Sequence, residues 1–367
     1  MNPLEYMEKN KKNMINDLRT VVEFETPSYN KKLLDKFVDF ISGYLEENLK
    51  CVPEIIKSDN TGNDIKCTLG SGKKILLLTH YDTVFSEGTL KERPFRIEGE
   101  KAYGPGIFDM KAGIIQTLYA LKYIVEHSEF NRQIVLLMTS DEEIESGFSK
   151  DIIIENARDA EYVLVMEPSL NGKLKTERMG VGTVKLTVHG KSSHAGLDPE
   201  KGVNAIIEAA NIIMEVKKSG IAGINFDVIR GGTRSNVIPD LCIAEADLRF
   251  RSERMVSDIK NLIENIKPVN PLAKIETEYN IRPPMIKTLK SQELFMRARE
   301  IAHEKLNMNL EETSVAGGSD GNFCSYYAPV LDGLGAVGDG AHSENEFIYI
   351  NSMPERTALL YYLINDL

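Results

Sequence analysis

The sequence predicts an α/β protein: a mixed, mostly parallel sheet with helices on both faces, interrupted by a smaller inserted α+β unit. Three observations predict it. Short apolar runs, with no room for a full helix, end in polar residues at 75–84, 133–140 and 162–166, as strands buried on both faces do. Around them, apolar residues recur at helical spacing. From about 177 to 287 the runs give way to alternation, as in Val184, Leu186, Val188 and in Ala244, Ala246, Leu248, Phe250, the mark of a sheet with one wet face. The expected division is therefore 1–176 with 288–367 as one domain and 177–287 as the insert.

The elements follow in order. Met14, Ile15, Leu18, Val21 and Val22 mark a first helix that breaks at Thr26-Pro27, because proline disfavours helical backbone in the residue before it. A second helix runs through Leu34, Phe37, Ile41 and Leu45, with Ser28 as its capping candidate. After the 75–84 run comes a loop, 85–106, closed by Gly104, Pro105 and Gly106, which forbid regular structure. Ile114, Leu118, Leu121 and Val125 then mark a helix, so Asp109 sits in a turn just ahead of it. The insert reads strand, helix, two strands, helix, strand, its helices carrying Val203, Ile206, Ile207, Ala210, Ile213 and Met255, Ile259, Leu262, Ile266. Arg282-Pro283-Pro284 is the return, and helices through Leu294, Ala298, Ile301 and after Ser352-Met353-Pro354 complete the first domain.

At 367 residues and 42% hydrophobic, the chain can bury a large core in two domains. Its 44 basic and 55 acidic residues leave a net charge of −11 with no basic stripe, which argues against nucleic acid and against an anionic membrane surface as partners. Cys51, Cys67, Cys242 and Cys324 stand far apart with no paired spacing and read as reduced core residues. No stretch approaches the length of a membrane span and the first twenty residues are charged, so the cytoplasm is the expected location.

The chemistry lies at the strand ends. His80 and Asp82 alternate to the same side of their strand, where the imidazole can bind a metal while the carboxylate orients it. The second run leads into Asp141, Glu142 and Glu143, and the third into Glu167 and Pro168. Carboxyl ends of strands are where open α/β sheets place ligand sites. With Asp109 and with His342 in a glycine-rich loop, the set is two imidazoles and three carboxylates: His80, Asp109, Glu143, Glu167 and His342. That set suits two zinc ions, with cobalt or manganese as alternatives, if one carboxylate bridges. Two dications against three carboxylates keep net positive charge, which favours ionisation of water. Of the adjacent acids, Glu143 is assigned to metal and Glu142 to general base.

Six motifs in order, centred on His80-Tyr81-Asp82, Gly104-Pro105-Gly106-Ile107-Phe108-Asp109, Asp141-Glu142-Glu143, Glu167-Pro168-Ser169, Ser193-His194-Ala195-Gly196 and Gly340-Ala341-His342, resemble the M20 family of co-catalytic zinc hydrolases. Gly317 to Asn322 extends the match, and within the family the likeness is to the glutamate carboxypeptidase group. The resemblance implies a zinc-peptidase-like catalytic domain with an inserted lid and dimerisation domain. It implies that His80 and Glu167 hold one zinc, Glu143 and His342 the other, and Asp109 both, with Asp82 bracing His80 and Glu142 acting as base and then proton donor. In the insert it makes His194 the oxyanion-stabilising histidine, acting in cis or across a homodimer. Asn236 and Arg249 become holders of the substrate carboxylate, and Gly317 a backbone contact. A cis peptide between Asp109 and Met110 is also implied. Met110 departs from the acid usual in carboxypeptidase relatives, and Ala112 from the usual glycine.

The activity so implied is release of a C-terminal residue, glutamate among the candidates, from a peptide or N-acyl amino acid. A deacylase of N-acyl amino acids is the alternative, and a non-catalytic binding protein the third reading.

Overall fold

The computed structural model describes residues 1–127 and 131–367. The expected architecture is present: six strands lie in the order Glu54–Ile56, Asp64–Gly70, Arg132–Thr139, Lys73–His80, Ala160–Val165, Val330–Leu331. The first three pair antiparallel and the last four parallel. Alternation along the central strands explains why their apolar runs are continuous. Ile75, Leu77, Ile134 and Leu136 enter one core, shared with residues of Pro3–Glu23, Lys31–Leu49, Ala112–His127 and Ser352–Asp366. Leu76, Leu78, Val135 and Leu137 enter another, with Ile153, Ala157 and Phe323. Helices on both faces leave no side of the sheet wet, so every position in the run must be apolar.

Two compact units divide the chain: Met1–Glu177 with Met285–Val315 and Ser319–Leu367, and Arg178–Pro284 with Ala316–Gly318. The smaller holds an antiparallel sheet ordered Ile224–Gly231, Leu241–Phe250, Gly180–His189, Lys274–Arg282. Its inward residues, among them Val184, Leu186, Val188, Ala244 and Leu248, pack with Ala209, Ile212 and Ile259 of the helices Ala205–Ser219 and Glu253–Asn265. No described helix is long and apolar enough to cross a membrane.

Three local expectations are corrected. The cap of Lys31–Leu49 is Asn30, whose side chain accepts from the Leu33 N–H, while Ser28 is buried and donates to Asp82 instead. Within the loop 85–106 lie a short helix, Thr89–Glu92, and a hairpin, Arg96–Glu98 with Lys101–Tyr103, which pairs with Phe347–Tyr349. Cys51 and Cys67, expected to be reduced, form a disulfide across a Cα separation of 6.2 Å. The helix Lys31–Leu49 ends just before Cys51 and brings it against the strand Asp64–Gly70, a meeting that a sequence separation of 16 hides.

Asp64 is fully buried. Its Oδ1 accepts from the Ser140 N–H at 3.1 Å, and its Oδ2 has no hydrogen-bond partner among the described residues. Burial, with Asp141 and Asp320 adding repulsion, raises its pKa from 3.8 to about 8. The folded state thus keeps a proton that the unfolded chain loses, and stability from this residue falls as pH climbs from about 4 to about 8. Asp64→Asn is expected to raise Tm at pH 8 more than at pH 5. Thermal denaturation across that range checks it, and an equal or larger benefit at pH 5 would contradict it.

Candidate metal centre

Three strand ends and two turns build the centre. His80 closes Lys73–His80, Glu142 and Glu143 follow Arg132–Thr139, and Glu167 follows Ala160–Val165. Parallel neighbours end on the same edge of the sheet, so their polar termini converge. Asp109 arrives on the turn Ile107–Lys111, between Gly106 at φ 70° and the helix Ala112–His127. The peptide from Asp109 to Met110 is cis. His342 sits at φ 62°, a left-handed conformation uncommon outside glycine and concentrated at functional sites.

The side chains meet around Asp109. Its Oδ1 lies 3.2 Å from His80 Nε2, and its Oδ2 lies 3.4 Å from His342 Nε2. Glu167 Oε1 is 3.3 Å from His80 Nε2, and Glu143 Oε2 is 3.1 Å from His342 Nε2. All five residues expected as ligands are therefore brought together. Two groups have ligand atoms within 4.8 Å of one another: His80, Asp109 and Glu143, and His80, Glu142 and Glu167. Glu142, expected as a base, is thus within reach of the same space.

Asp82 does more than face His80. Its carboxylate is 3.4 Å from His80 Nδ1, whose nearer contact, at 3.1 Å, is the Asp82 carbonyl oxygen. The same carboxylate accepts from Ser28 Oγ at 2.7 Å and from the backbone N–H groups of Glu142 and Glu143 at 3.2 and 3.1 Å. One buried acid thus orients an imidazole and fixes the turn that presents both glutamates.

The charges are strongly coupled. Burial opposes protonation of His80, but hydrogen bonds to Asp109, Asp82 and Glu167 outweigh it and raise its pKa well above the usual value. Asp109 and Glu143 raise His342 to about 11. Burial lifts Glu143 to about 7 against the pull of His342, while His342 and His80 outweigh burial at Asp109 and hold it well below the carboxylate range. The donor set fits divalent ions. Two imidazole nitrogens face carboxylate oxygens, and Glu143 Oε1 is buried with no hydrogen-bond partner among the described residues, a cost that a cation would remove.

Beside Glu143 opens a cavity of about 340 Å³ lined by residues 27–30, 83–87 and 143–144. A residue absent from the expected site is Glu346, which is 2% exposed and accepts from the N–H groups of Gly106, Phe108 and Asp109. Its only signal in the sequence is its place four residues after His342.

In the smaller unit, His194 Nδ1 accepts from the Gly196 and Leu197 N–H groups, each at 3.1 Å. The proton of a neutral ring then sits on Nε2, leaving that atom a donor. Asn236 accepts from the Ala195 N–H through its backbone carbonyl, next to His194. Arg249 is not open: its guanidinium grips Asp247 through two contacts of 2.9 Å and donates to Ala316 O at 3.4 Å. Gly317, on the same segment, accepts from Arg178.

Comparison with known proteins agrees with this geometry. Carboxypeptidase G2 of Pseudomonas sp. (strain RS-16) is 33% identical over 325 residues, 85% of this chain and 78% of that protein. A succinyl-diaminopimelate desuccinylase of Orientia tsutsugamushi (strain Boryong) is 24% identical across 96% of this chain and 95% of its own. The crystal structure of an M20 family metallo-carboxypeptidase from Sulfolobus solfataricus superposes with a TM-score of 0.77 at 17% identity, covering 96% and 98% of the two chains, and shares the fold. Residues 76–366 match the profile of peptidase family M20/M25/M40, and with two candidate metal-ligand clusters at its strand ends the chain belongs to that family as a metallohydrolase.

Proposed function

We propose that the chain is a two-zinc carboxypeptidase, releasing a C-terminal residue, glutamate among the candidates, from peptides or N-acyl amino acids. The observation that carries the two-metal reading is Asp109, whose two oxygens face different imidazoles. His80 and Glu167 would hold one ion and Glu143 and His342 the other, with Asp109 offering one oxygen to each side. When bound, the ions polarise the amide carbonyl and acidify water. Glu142 takes the proton of the attacking water and returns it to the leaving nitrogen. His194 donates from Nε2 to the developing oxyanion.

For the substrate, the reading is supported by the likeness to carboxypeptidase G2, and it assigns Arg249 and Asn236 to hold the substrate carboxylate. Arg249 must exchange Asp247, which it now grips through two contacts of 2.9 Å, for the substrate carboxylate, a group its fork can bind in the same bidentate way. A second reading, removal of an acyl group from an N-acyl amino acid, is favoured by the desuccinylase match. Zinc-loaded protein assayed against peptides ending in glutamate and against N-acetyl and N-succinyl amino acids separates the two. Cleavage of the N-acyl amino acids alone would defeat the carboxypeptidase reading.

His194→Ala is expected to lower kcat by about a hundredfold to a thousandfold, as loss of an oxyanion donor does, with both metals retained. Metal analysis beside kinetics checks it; a metal-depleted variant would show a different role. The exposed edge strand Ile224–Gly231 supports a homodimer built through the smaller unit, and a monomer in light scattering would confine His194 to its own chain.

A further inference from the structure

Glu346 sits in the turn of a hairpin. On one side Gly338 and Asp339 pair with Ile348 and Phe347, and on the other Phe347–Tyr349 pairs with Lys101–Tyr103. The backbone carrying Glu346 is thereby tied to the strand that leads directly into Gly104, Pro105 and Gly106. From that position its Oε2 accepts the Gly106 N–H at 2.8 Å, and its Oε1 accepts those of Phe108 at 2.8 Å and Asp109 at 2.9 Å. The left-handed Gly106 helps turn these amides inward, into the kind of concave donor set that binds anions. Here the acceptor is the carboxyl group of a side chain 237 positions further along the chain than Asp109.

The same hairpin turn carries His342, whose Nε2 faces Asp109 Oδ2. Asp109 is thus gripped twice by one turn, through its side chain by His342 and through its backbone by Glu346. A bridging carboxylate must hold two oxygens toward two ions at once, so a small rotation of its peptide plane misplaces both. We propose that Glu346 is the positioning residue for the bridge: it sets the Asp109 backbone so that Oδ1 and Oδ2 face the His80 and His342 sides together. The inference rests on the two-metal reading above. Its chemistry explains why an acid is needed, since three donors require acceptors on two oxygens, and an amide would turn an NH₂ group against at least one N–H.

The test is zinc affinity, which needs no substrate, measured by competition with a chromophoric chelator on native protein, Glu346→Gln and Glu346→Asp. Glu346→Gln is expected to weaken zinc binding by about ten- to a hundredfold, the usual cost of losing an outer partner. Its kcat should be low at limiting zinc and recover toward the native value as zinc is raised, with KM within about twofold. Glu346→Asp, which keeps both oxygens but reaches less far, should fall between. Zinc affinity unchanged in both variants, whether or not the apo-protein melts earlier, would overturn the inference and leave Glu346 a merely structural residue. So would a kcat loss that excess zinc does not restore. A native chain that binds no zinc would overturn the two-metal reading, and this inference with it.

Discussion

Glu142→Gln is expected to slow amide hydrolysis by about a hundredfold to ten-thousandfold, the usual contribution of a positioned general base, while leaving two metal ions bound. Glutamine keeps the size and the backbone of the residue, so the N–H that Glu142 donates to Asp82 survives and with it the presentation of Glu143. Only the capacity to accept and return a proton is lost. The ligand atoms of Glu142, His80 and Glu167 lie within 4.8 Å of one another, so Glu142 has two roles open to it. Metal analysis of the purified variant decides between them. Loss of an ion would make Glu142 a ligand, and undiminished turnover would remove it from the mechanism.

Removing the bridge should have the largest effect of all. Asp109→Ala deletes both oxygens that face the imidazoles, and both ions are expected to lose affinity together, with activity falling to background. Each single histidine variant should behave differently. His80→Ala and His342→Ala are each expected to reduce the metal content by about one ion, since each imidazole serves one side. The asymmetry follows from electrostatics: two dications close together repel strongly, and the carboxylate between them offsets that repulsion for both. Metal-to-protein ratios of the three variants provide the check. An Asp109→Ala protein that still carries two ions would end the bridged arrangement.

Much of the centre could be read from the chain because its parts announce themselves locally. His80, Asp82, Glu142, Glu143 and Glu167 follow apolar runs that only a doubly covered sheet would tolerate, and a ligand at the carboxyl end of such a strand is a local pattern. The six elements of the insert were legible for the same reason, since alternation and helical spacing are properties of neighbours in sequence. Asp247 as the companion of Arg249 was also readable in principle, because residues two apart on a strand share a face. Ser28 was misread because a serine near a helix start is a good cap locally, and nothing nearby reveals that Asp82 competes for its hydroxyl.

What the amino-acid sequence alone determined is the order of the long helices and the central strands, the α/β architecture with its insert, and the chemical identity of the side chains presented at the strand ends. Only the tertiary structure decided that Glu346 grips the Asp109 backbone from a hairpin far along the chain, that Cys51 meets Cys67, and that Ser28 gives its hydroxyl to Asp82. The physical reason is one of range. Periodicity and capping are short-range steric and solvation effects written in adjacent residues, whereas these contacts depend on which donors remain unpaired after the sheet and its helices have packed.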